Sequence, residues 1–245
     1  MDVQTFNLLA LAIGPAVLII TYVYMRDKYD REPIGLLFVS FLLGCLSIVP
    51  AIILETVLPK LGLGMDTGIA SLLVYTTVVV GFSEEFSKFF FLRVYAFRKK
   101  AFNEPFDGIM YCLMIGMGFA TCENLLYVFG QDTYELSLQI AKLRAITAVP
   151  AHATFAILMG YYVGKAKFSV QNRKGLLWKG LIVAIAFHSL YDFFLMQQSY
   201  EGLATGAFIS LAFGIYLSMK AMKISKLNTP FKYGQGQEAP EDFNT

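Results

Sequence analysis

Charge is scarce in this sequence. Asp, Glu, Lys and Arg make up only 16% of its 245 residues, against 56% hydrophobic, and the mean hydropathy is +0.57. That balance leaves more apolar side chain than a soluble core can bury, which excludes a water-soluble domain and points to a polytopic membrane protein. Cysteine is scarce too. Cys45, Cys112 and Cys122 lie in apolar runs with no CxxC spacing, so neither a zinc ribbon nor a disulfide framework is expected, only buried thiols. The net charge of +2 is not gathered into a patch, so no nucleic-acid partner is expected. No HExxH helix, GxSG motif or GxGD motif occurs, which removes the zincin, serine and aspartyl routes to proteolysis. No internal repeat or extramembrane domain is visible.

Long apolar runs are what remains. Seven stretches of about twenty residues bounded by charge read as spans: 6–25, 34–57, 69–95, 107–130, 140–164, 176–197 and 203–222. The first lacks a basic leader and a small-residue cleavage site, and reads as a retained span. The fold expected is an all-α transmembrane bundle, with one domain over 1–225 and a polar cytoplasmic tail over 226–245. Arg26, Lys28 and Arg31 follow the first span. Arg93, Arg98, Lys99 and Lys100 follow the third, and Lys165, Lys167, Arg173, Lys174 and Lys179 the fifth. With Lys220, Lys223, Lys226 and Lys232 at the end, sixteen of the 20 basic residues fall on one side. The positive-inside rule then puts the N-terminus outside and the C-terminus in the cytoplasm.

Few ionisable residues survive inside the spans: Glu84, Glu85 and Lys88 in the third, Glu123 in the fourth, His152 in the fifth, and His188 with Asp192 in the sixth. Each charge at mid-bilayer costs roughly 2.5–3.5 kcal/mol, so a set of this size is expected to converge. At about 1.5 Å of rise per residue, Glu84, Glu85, Glu123, His152 and His188 all fall near the midplane. Glu84 and Glu85 reach Lys88 at i+4 and i+3, and His188 reaches Asp192 at i+4.

Each of these residues alone has a packing reading, as an ion pair, a core histidine or an interhelical clamp. Together they match the ligand types of Zn²⁺ with an open position for water, beside a glutamate able to take that water's proton. Pro150 is expected to bend the fifth span beside His152. Gly116, Gly118 and Ala145, Ala148, Ala151 and Ala153 are expected to let backbones approach. Glu55 and Asp107 read as an interface residue and a helix-start residue, and Phe119 as packing.

Glu84-Glu85-x-x-Lys88, Phe119-x-x-x-Glu123, His152 in "HATF" and His188-x-x-x-Asp192 resemble, in order, the motifs of the PrsW family of intramembrane metalloproteases, with further likeness in "DREPIGLL" and "FDGIMYCLMIGMGFA". The resemblance covers roughly residues 26–195. It implies a multi-pass protease of the bacterial cytoplasmic membrane that cuts a single-pass membrane protein near the bilayer, as in site-1 cleavage of an anti-sigma factor during envelope stress. By position it implies that Glu84 and Glu85, supported by Lys88, include the base that activates water. Glu123, His152, His188 and Asp192 would include the Zn²⁺ ligands. Two other classes fit the same charges: a proton- or ion-coupled transporter, and a non-catalytic membrane scaffold. No broken-helix pair repeats between the halves to favour the transporter.

Overall fold

The structure, a computed structural model, describes residues 2–66, 68–197 and 202–233. The described residues are helical and turn structure with no strand. Nine α-helices follow one another among the described residues: α1 Val3–Arg26, α2 Ile34–Leu58, α3 Ile69–Val74, α4 Ser83–Val94, α5 Pro105–Phe129, α6 Tyr134–Ile146, α7 Ala148–Phe168, α8 Arg173–Met196 and α9 Thr205–Leu227. They assemble into seven helices long and apolar enough to cross a membrane, the third and fifth being composite. The seven expected spans are all present, and the chain is a multi-pass membrane protein. The segment 234–245 of the polar tail lies outside the described residues.

α5 and α7 form the centre and pack most extensively on each other, with α2 on the far side of α5 and α8 and α9 against α7. α5 is buried around nearly its whole circumference, which suits a helix apolar on every side. Small residues set the spacing, as expected. A Cβ on Gly116 would stand 2.7 Å from Cβ of Ala156, and one on Gly118 would stand 2.0 Å from the Phe41 carbonyl oxygen. Larger side chains there would push α7 and α2 away from α5.

The third and fifth spans are interrupted. In the third, residues Tyr75–Phe82 between α3 and α4 form a π-helical stretch that ends immediately before Ser83 and the glutamate pair. Such i→i+5 turns rotate the face a helix presents and occur often at functional sites. The fifth span breaks at Thr147, whose φ of −122° and ψ of −71° separate α6 from α7. The bend expected at Pro150 therefore falls three residues earlier. Pro150 sits in the first turn of α7, where a missing N–H costs little.

At the basic end of the bundle, the segment joining α1 to α2 is locked to the start of α5 by buried carboxylates. Glu104 caps α5, and Asp107 returns a capping-box contact, accepting hydrogen bonds of 2.7 Å from the N–H groups of Asn103 and Glu104. Asp107 is thus a helix-start residue, as expected. The Tyr111 hydroxyl donates to Glu32, and the Thr229 hydroxyl donates to Glu104. Burial pushes Asp27 up to about 6, with repulsion from Glu32 adding to it, and pushes Glu104 up to about 7.

Candidate active site within the bundle

The first turn of α4 carries Glu84 and Glu85, and the next turn returns Lys88 to both. Its Nζ donates to Glu84 Oε2 at 3.0 Å and to Glu85 Oε1 at 2.8 Å. The same ammonium lies 3.9 Å from the centre of the Phe119 ring on α5 and donates to Nδ1 of His152 on α7 at 3.3 Å. Phe119 packs as expected, but against this cation. α8 is brought alongside by Gly81. A Cβ there would stand 2.7 Å from Ser189 Oγ, so glycine lets α8, and with it His188, approach the glutamates without displacing that hydroxyl. His188 Nδ1 then lies 2.9 Å from Glu85 Oε1, and its Nε2 lies 3.2 Å from Asp192 Oδ2. Phe155 of α7 stacks on the His188 ring at 4.8 Å and 20°.

Glu84, Glu85, Lys88, His152 and His188 are at most 5% exposed. One ligand atom from each of Glu84, Glu85, His152 and His188 lies within 4.8 Å of all the others. Of the five residues expected at one depth, Glu84, Glu85, His152 and His188 come together from three spans.

Glu123 and Asp192 stand one step outside that set of four. Glu123 Oε2 is 2.8 Å from His152 Nε2, on the far side of the ring from Lys88. Asp192 holds the corresponding nitrogen of His188. Each imidazole therefore has a carboxylate on Nε2 while Nδ1 faces the glutamate–lysine group. A carboxylate behind an imidazole in this way is the usual support of a metal-binding histidine.

The donor set fits a metal ion by its chemistry. It offers imidazole nitrogen and carboxylate oxygen, the ligands of a catalytic divalent cation. Glu84 Oε1 and Glu85 Oε2 accept no hydrogen bond among the described residues. An ammonium already stands among these oxygens, so the pocket favours positive charge.

A cavity of about 560 Å³ opens against the group, reaching Glu84, Glu123, His152, His188 and Asp192. Glu85 does not line it. Two residues of the cavity wall were read otherwise from the sequence. Glu55, taken as an interface residue, lines the cavity from α2. Arg144, one of the few basic residues outside the sixteen of the basic side, lines it from α6. Arg144 Nη2 donates to Glu123 Oε2 at 2.6 Å, its Nε donates to Asn124 Oδ1 at 2.7 Å, and its guanidinium lies over the Tyr127 ring at 4.1 Å. Asn124 in turn donates to the Ala12 carbonyl of α1 at 3.2 Å. A lone arginine in the apolar stretch "LRAITAVPAHATF" is the signal that sequence offered for this role.

Seven membrane-length helices around a buried carboxylate–imidazole group with its own cavity define a polytopic membrane protein with an intramembrane centre suited to a metal. Residues 32–219 match the model of the family described as "PrsW family intramembrane metalloprotease". The chain is 36% identical over 194 residues to "Protease PrsW" of Clostridioides difficile, covering 78% of this chain and 80% of that protein. It is 34% identical over 195 residues to the protein of that name from Bacillus subtilis, covering 79% and 85%. With the Geobacillus kaustophilus protein of the same name it shares 32% over 204 residues, covering 83% and 86%. The chain belongs to the PrsW family of intramembrane metalloproteases. No solved structure matches it.

Proposed function

We propose that this protein is an endopeptidase that hydrolyses a peptide bond of a single-pass membrane protein within or beside the bilayer, using water activated by a glutamate. The observation that carries the reading is the convergence of Glu84, Glu85, His152 and His188 to within 4.8 Å beside a cavity of about 560 Å³. Hydrolysis in a membrane needs a polar chamber for water and an unwound stretch of substrate. The cavity answers both, with apolar walls such as Ile52, Leu143 and Met196 around a polar floor.

Glu84 is the base we favour, because it faces the cavity with Oε1 unbonded, whereas Glu85 is held between Lys88 and His188. It takes a proton from water as the water oxygen attacks the scissile carbonyl. It then delivers that proton to the departing amide nitrogen as the C–N bond breaks, leaving a carboxylic acid and an amine. Lys88 donates to both carboxylates and holds them in place. His152, His188 and Glu85 would hold a divalent metal, with Zn²⁺ the candidate, which leaves Glu84 free to act as the base. Such a metal supplies Lewis acidity toward the carbonyl and toward water. Glu123 and Asp192, placed among the ligands on sequence grounds, fit better as the groups that fix the two imidazoles, since each is bonded to Nε2. Arg144 holds Glu123 in turn.

The substrate reading rests on the family: a site-1-type cut of an anti-sigma-factor-like protein in the bacterial cytoplasmic membrane, by a chain with its N-terminus outside. Trapping with Glu84→Gln tests it. Single-pass membrane proteins should accumulate uncleaved with the variant and disappear with the wild type. Recovery of no such protein, with ion flux in proteoliposomes instead, would return the transporter reading.

A further inference from the structure

A second cavity, of about 400 Å³, lies away from the candidate active site, between the end of α1 and the end of α9. Four cations line it: Arg26 and Lys28 at the end of α1, and Lys223 and Lys226 in the last turns of α9. No carboxylate among the described residues lines it. Asp27, between two of these cations in sequence, is turned into the protein and is 1% exposed. None of the four cations makes an ion pair among the described residues. Arg26 is pre-set: its Nη2 donates to the Tyr22 hydroxyl at 2.9 Å, and its guanidinium lies over the Tyr22 ring at 5.0 Å. The other half of the cavity wall is apolar, with Met219, Met222 and Leu227.

Four cations without an ion pair around one cavity repel one another unless an anion sits among them. The cavity lies where two membrane helices end, the level at which a bilayer carries its phosphates. Its apolar half has nothing to offer a free phosphate, and Met25 and Tyr216, three residues from the lining Tyr22 and Met219 on the same helices, are exposed. We propose that this cavity binds the phosphate of an anionic phospholipid, with the acyl chains running down the groove between α1 and α9. The phosphate would take the charge of Arg26, Lys28, Lys223 and Lys226, and so tie the first span to the last.

The test uses the full-length protein in detergent, titrated with phosphatidylglycerol or phosphatidylcholine and read by native mass spectrometry. Wild type should retain phosphatidylglycerol in preference to phosphatidylcholine. Lys223→Gln with Lys226→Gln should weaken phosphatidylglycerol retention at least about tenfold. Arg26→Gln, on the other helix, should weaken it in the same direction, so the loss does not depend on α9 alone. Lys165→Gln with Lys179→Gln removes the same charge elsewhere on the basic side and should change retention less than about twofold.

Equal loss in that control pair would mean general attraction and overturn the site, as would equal retention of phosphatidylcholine. Displacement of the lipid by glycerol phosphate at matching concentration would make it a site for free phosphate. Deleting residues 234–245, which include Glu238, Glu241 and Asp242, should leave retention unchanged. A several-fold rise would show the chain's own acidic tail to be the occupant and overturn the lipid assignment.

Discussion

The bundle buries two groups of carboxylates and neutralises them by different means. At the middle of the third span, Glu84 and Glu85 are held by an ammonium and the His188 imidazole, and Glu84 borders a cavity. At the basic end, Asp27, Glu32, Glu104 and Asp107 are equally buried, but Glu32, Glu104 and Asp107 are held by hydroxyls and backbone N–H groups and Asp27 by the neighbouring Glu104 carboxyl, and no cation pairs with them among the described residues. The residue types are the same and the consequences differ. Imidazoles and free carboxylate oxygens beside water can exchange protons and accept a metal. Hydroxyls and amides fixed by helix capping can only hold a joint closed. Burial of acid is therefore no mark of catalysis by itself. The kind of compensating group, and the space beside it, decide.

Breaking the first group should have the largest effects. Glu84→Gln keeps size and loses the base, and should lower turnover of a membrane protein substrate about 10³-fold with the fold retained, checked by cleavage in proteoliposomes beside circular dichroism. Glu85→Gln losing as much while Glu84→Gln lost little would reverse the roles of the pair. Lys88→Met leaves two buried carboxylates uncompensated and should cost about 3–5 kcal/mol, seen as a lower unfolding midpoint in detergent. Adding Glu84→Gln to Lys88→Met should recover a good part of that loss, because the two residues are directly coupled.

Much of this first group was legible in the sequence. Seven apolar runs give the spans, and within a helix the i, i+3 and i, i+4 spacings of Glu84, Glu85, Lys88, His188 and Asp192 fix who can touch whom. A common depth for residues on four spans follows from rise per residue alone. What depth does not give is the rotation of each helix about its own axis. That rotation is set here by the π-helical stretch before Ser83, the break at Thr147 and the close approach at Gly81. So Glu55 and Arg144, in the same apolar setting as their neighbours, gave no sign of which way they faced. The joint at the basic end was hardly legible, because it links Glu32 to Tyr111 and Glu104 to Thr229 across 79 and 125 residues.

Arg144 lies on the border of the comparison, since it touches the cavity but acts on the imidazole through Glu123. Arg144→Gln should lower kcat about 10–100-fold, the usual effect of losing a group that orients a histidine, with a smaller change in KM. Arg144→Lys should restore only part of the loss, because one ammonium cannot bridge Glu123 and Asn124 as the planar guanidinium does. A change in KM alone would make Arg144 a substrate contact.

The joint at the basic end should show its character through pH. Burial holds Asp27 up at about 6 and Glu104 at about 7, both above their ordinary range, so the folded protein keeps protons that the unfolded chain has already lost. Folding is therefore favoured by these groups below about pH 4, and that contribution is lost as pH rises through 6 and 7. The two carboxyls lie next to each other, with Asp30, Arg31 and Glu32 also facing Asp27. The last proton is thus shared within the joint. The unfolding midpoint of the full chain in detergent should fall by about 2–4 °C for each kcal/mol lost between pH 5 and pH 8. Asp27→Asn keeps a hydrogen-bonding group without the charge and should flatten that slope while leaving cleavage at a fixed pH unchanged. A wild-type midpoint that stayed level from pH 5 to pH 8 would mean that the joint is compensated by charge after all, and the contrast between the two groups would collapse.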